Sequence, residues 1–69
     1  MFCSLQIRFE WRDEGGNAVI QEYPVFGQSC EDVKLKAHHE VIQKMELAKE
    51  NSYRNFEFKI SDCAYHDSP

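Results

Sequence analysis

The residues of this 69-residue chain best suited to chemistry are three cysteines and three histidines: Cys3, Cys30, Cys63, His38, His39 and His66. Thiolate sulfur and imidazole nitrogen are natural zinc ligands, but a structural zinc site usually draws two of them from one local turn. No C-x-x-C or H-x-x-x-H pair occurs here, so the spacing gives metal binding no support. Cys3 and Cys63 read instead as small core or sheet residues. An odd number of widely spaced cysteines is not the pattern of a disulfide framework. All three are therefore expected to be reduced, in a cytoplasmic chain that holds no metal and no cofactor.

The adjacent His38 and His39 cannot serve one site from a helix, where neighbours point about 100° apart. His38 falls on the apolar side and is expected to be partly buried, while His39 falls among polar residues. A catalytic base needs a nucleophile or a positioned acid, and neither Cys3 nor Ser29 stands in a recognisable relation to His38. Gly15-Gly16 leads into a strand and not into a helix, so it is a turn and not a phosphate cradle. No catalytic residue is expected, and the chain reads as a non-enzyme.

The elements that position these residues follow from periodicity. Phe2 to Arg12 alternates, with Cys3, Leu5, Ile7, Phe9 and Trp11 on one side, which is the pattern of a half-buried strand. Asp13 to Asn17 supplies hairpin-turn residues. Ala18 to Phe26 is a second strand, and Pro24 places it at a sheet edge because proline cannot donate to a ladder. Ser29 is positioned to cap a helix that runs to about Glu50, with Asn51 as its stop. Glu31 and Asp32 suit the helix dipole, and Asp32 with Lys36 and Glu40 with Lys44 are favourable i,i+4 pairs. Tyr53 to Ile60 returns to period two, with Phe56, Phe58 and Ile60 on one face. The tail from Cys63 should extend that strand briefly and then fray.

These elements make one α+β domain spanning 1–69: a ββαβ arrangement with a three-stranded antiparallel sheet, order 2-1-3, on one long amphipathic helix. Hydrophobic residues make up 42% of the chain, enough for one core, though a thin one at this length. The opening MFCSLQIRFEWR alternates and carries charge early, which is not the pattern of an export signal. No apolar run approaches the roughly 18 residues of a membrane helix.

The net charge is −4, which argues against a binder that gains affinity through phosphate contacts. The helix carries the best functional hint. Val33, Ala37, Val41, Met45 and Ala48 form its core stripe, in line with Cys30, and Leu35 and Ile42 widen that arc beyond what a small sheet covers. Leu35 and Ile42 are therefore expected to meet a protein partner or a second subunit in a homodimer. Glu31 and Asp32, gathered near Asp62 and Asp67, give an acidic end, and Tyr53 and Tyr65 are exposed aromatics of the kind that anchor interfaces.

In size, charge and layout the chain resembles the small inhibitors encoded by phages and mobile elements, anti-CRISPR proteins among them. That resemblance implies a protein-binding module that occludes a partner surface, the partner itself being a candidate nucleic-acid-binding protein. The alternative is a nucleic-acid-associated regulator that uses Arg8, Arg12, Arg54 and Lys59 on the open sheet face. Against it stand the net charge and the interleaved Glu10 and Glu57.

Overall fold

The computed structural model describes residues 1–67. The strand β1 (Phe2–Arg12) pairs antiparallel with β2 (Ala18–Gly27) on one side and with β3 (Arg54–Ile60) on the other. One helix, α1 (Cys30–Glu50), covers a single face, so the expected antiparallel order β2-β1-β3 is the observed one. Ser68 and Pro69, where fraying was expected, lie outside the described residues.

The turn of the first hairpin is held by its own acids and amides. Asp13 N–H donates to the Asn17 carbonyl at 3.0 Å, and Asp13 Oδ1 accepts the Asn17 N–H at 2.9 Å. Gly16 sits at φ 79, in the left-handed region where a residue without Cβ is at ease. Pro24 lies on an edge strand, opposite Gln6, where its missing N–H costs no ladder bond in the sheet interior.

The tail departs from expectation. It does not prolong β3. The chain breaks at Ser61, whose N–H donates to the Gln6 carbonyl at 2.9 Å, and re-enters as a separate strand, β4 (Ala64–His66), paired with Phe2–Ser4 of β1. The reason is length. An eleven-residue β1 outreaches the seven-residue β3, and the leftover edge is filled by the next segment of chain.

The alternating residues of β1 form the core as expected. Cys3, Ile7, Phe9 and Val33 are fully buried, with Leu5, Trp11, Val25, Ala37, Val41 and Ala48 close to it. On the β2 flank the helix is tied down by polar side chains. Tyr23 donates to Glu40 Oε2 at 3.1 Å, Lys44 to Gln21 Oε1 at 2.6 Å, and Lys36 to the Phe26 carbonyl at 3.1 Å. The expected Glu40–Lys44 pair is thus not formed, because each partner is taken by the sheet. Lys44 also lies over the Phe9 and Trp11 rings, its Nζ 5.7 and 5.9 Å from their centroids. Asp32–Lys36 is formed, at 3.2 Å.

Ser29 caps the helix by accepting from Asp32 N–H at 3.1 Å. The C-terminus closes in a Schellman arrangement, with Tyr53 N–H on the Ala48 carbonyl and Ser52 N–H on the Lys49 carbonyl. Serine stands there at φ 54, where glycine is usual.

Candidate functional site

The helix covers β1 and is tethered to β2, and it leaves the helix-facing side of β3 open. The register puts Phe58 opposite Phe9 and Ile60 opposite Ile7. Phe9 and Ile7 are fully buried, yet Phe58 and Ile60 are 46% and 42% exposed. A trough therefore runs between α1 and β3. Its floor is Phe56, Phe58 and Ile60, and its helical wall is His38, Ile42 and Met45. Its outer limit is the free edge of β3, which no strand covers among the described residues.

Two expectations about the helix are corrected here. Met45, assigned to the core stripe, is about half exposed, and His38, expected to be partly buried, is exposed. Both project past the last covered strand, because α1 leans toward β2 and the sheet beneath them ends at β3.

The residues singled out for partner binding do not form one patch. Ile42 and Tyr53 line the trough. Leu35 is 70% exposed, on the side of the helix turned away from the sheet. Glu31 and Asp32 lie in the first helical turn. Asp32 is occupied: its carboxylate accepts the Gln28 N–H and pairs with Lys36, and these two contacts, in that order, hold it below the usual carboxylate range. Tyr65 is exposed on β4 against the Met1 thioether. Tyr53, expected to be exposed, is half-buried at the other end of the helix because its ring stacks on Trp11 with centroids 5.0 Å apart. A 21-residue helix is about 30 Å long, so the two tyrosines cannot serve one anchor.

The cysteines depart most from the sequence reading. Cys30 and Cys63 are joined by a disulfide, which overturns the expectation of three reduced thiols. The fold brings together what the spacing keeps apart, since Cys30 opens the helix and Cys63 immediately precedes β4. The bridge fastens the helix N-terminus to the sheet. Cys3, buried and free, has its sulfur within 4.8 Å of both. Sulfurs bonded to each other are not thiolate ligands, so in this state the cluster offers a single thiol.

A second juxtaposition had no signal in the sequence. Ser4 Oγ lies 2.6 Å from His66 Nε2, and the His66 ring stacks on Phe2 with centroids 4.6 Å apart. A serine next to a histidine is half of a nucleophilic arrangement, which further needs a group to orient the imidazole and donors for an oxyanion. Ser4 and His66 sit on the open sheet face, and their contact fastens β4 to β1. His38 and His39 stay apart from this pair and from the cysteines.

Fold and surface together define a two-layer α+β domain with one guarded and one open sheet edge. Comparison with protein-family models, with curated proteins and with solved structures finds no match to the chain.

Proposed function

We propose that the chain is a small, non-enzymatic protein-binding module that works by covering a surface of its partner, as an inhibitor of the occluding type does. The observation that carries this reading is the trough beside β3. Large apolar side chains from two elements, Phe58 and Ile60 on the strand and Ile42 and Met45 on the helix, stay 42–51% exposed next to a backbone edge that is unpaired among the described residues. Contiguous exposed apolar surface rimmed by polar residues marks an interaction site, and an open strand edge adds hydrogen-bonding groups to it.

The charge on the opposite face favours protein over nucleic acid. Arg8 there is 3.9 Å from Glu22, and Glu10 and Glu57 stand beside Lys59. Acids interleaved in this way weaken the counterion release that drives phosphate binding.

The test compares affinity capture from cell extract by wild type, Phe58→Glu and Ile42→Glu, each checked for native circular dichroism. The expected result is a polypeptide bound in stoichiometric amount by wild type and by neither variant. Retention of oligonucleotide at low salt, lost steeply as salt rises, would overturn the reading in favour of the nucleic-acid alternative.

A further inference from the structure

We infer that the open edge of β3 pairs with the β3 of a second copy of this chain, joining two four-stranded sheets into one continuous sheet. The inference rests on reading the α1–β3 surface as an interaction site, and it names the partner at that edge.

Sheets blunt their edges with proline, bulges or charges that repel a second strand. Here β2 is blunted by Pro24, whereas β3 has its one irregularity at its start, where Asn55 adopts φ 55 and the register with β1 slips between Glu10 and Arg12. From Phe56 to Ile60 the ladder is regular and contains no proline.

The charges of β3 are placed badly for its present neighbour. Across β1 and β3, Arg8 faces Lys59, Glu10 faces Glu57 and Arg12 faces Arg54. Like charges directly opposite on a sheet face destabilise the pairing. The same strand is complementary to itself. An antiparallel copy related by a two-fold axis at Phe58 puts Glu57 opposite the partner's Lys59 and Lys59 opposite the partner's Glu57. In that register Phe58 meets the partner's Phe58, and Phe56 meets the partner's Ile60. Shifting the axis to Glu57 or to Lys59 would set that charge against its own copy, and shifting it to Phe56 or Ile60 would leave both charges opposite uncharged residues, so opposite-charge pairing selects the Phe58 register. Antiparallel pairing about such an axis leaves both helices on the same side of the joined sheet. The exposed floor of the two troughs then becomes one apolar strip between the helices.

The experiment is oligomeric state by light scattering and sedimentation over a concentration series, on wild type, Lys59→Glu, the Glu57→Lys/Lys59→Glu double variant and Phe58→Glu. Wild type should dimerise. Lys59→Glu sets two Glu57 residues against two introduced glutamates and should weaken the dimer about tenfold. The double variant exchanges the two charges, restores complementarity and should recover the wild-type constant to within about threefold. Phe58→Glu should be monomeric. Should Phe58→Glu fail to fold, the two charge variants still decide the matter, since both residues are exposed. A wild type that is monomeric at about 100 µM overturns the inference, as does a dimer lost in Leu35→Glu but indifferent to Lys59→Glu. A monomer that still captures a polypeptide through Phe58 and Ile42 refutes the self-pairing alone. A monomer that captures nothing refutes the binding reading with it.

Discussion

Tyr23 donates its hydroxyl to Glu40 across the gap between β2 and the helix, at 3.1 Å. Burial first, and then the Glu40 carboxylate as acceptor and as negative charge, push this hydroxyl up to about 12 from its ordinary 10.0. All three causes favour the protonated phenol, so the contact's stabilisation is complete below pH 10. It is lost as pH climbs from about 10 to about 12. Absorbance at alkaline pH should show the Tyr23 phenol titrating late, and the melting temperature should fall over the same interval. Tyr23→Phe should lower stability by about 1 kcal/mol at pH 7 and abolish the late titration. An alkaline titration that Tyr23→Phe leaves unchanged above pH 10 would contradict the contact.

Asp32 behaves in the opposite sense. The Gln28 amide and Lys36 hold its carboxyl below the ordinary 3.8, so the folded state prefers it ionised. Its contribution is therefore present above about pH 4 and disappears as pH falls through the depressed value. Thermal melts of Asp32→Asn should lie below wild type at neutral pH and converge with it in acid. Curves that stay parallel at every pH would show that the ionised group makes no contribution.

The helix C-terminus contains a residue that can be improved. Ser52 holds φ 54, which costs an L-residue with a Cβ about 1 kcal/mol or more, while glycine occupies it freely. Glycine also gains more entropy on unfolding, which offsets part of the relief. Ser52→Gly should stabilise by roughly 0.5 kcal/mol, a rise of a few degrees in melting temperature for a domain of this size. An unchanged or lower melting temperature would show that the left-handed turn is relaxed with serine in place.

The Cys30–Cys63 bridge closes a loop across 33 residues. Chain-entropy arguments give such a closure about 3–4 kcal/mol, a large part of what a small domain possesses. Melts with and without a phosphine reductant should differ accordingly, and the Cys30→Ser/Cys63→Ser variant should match the reduced wild type. Mapping under non-reducing conditions should find Cys30 linked to Cys63 in both wild type and Cys3→Ser. A Cys3–Cys63 linkage would show that the buried thiol, 4.8 Å or less away, has exchanged into the bond.

By itself the sequence determined what depends on near neighbours along the chain. The period-two run of β1, the turn residues Asp13 to Asn17, the Ser29 cap and the Asn51 stop are all local, so β1, β2, α1 and β3 and their order were legible, whereas β4 was not. Pro24 carried this further, for a missing N–H is a local fact with a topological consequence. The tertiary structure decided everything that depends on which element lies over which. Whether Met45 and His38 are covered turns on the lean of a helix held to β2 by Tyr23, Lys44 and Lys36. Whether Phe58 is core or surface turns on where the sheet ends, since alternation reports a residue's face and not what lies above it. The cysteines show the same division. Their spacing of 27 and 33 residues carried no sign of a pair, and only chain closure set Cys63 beside the first residue of the helix.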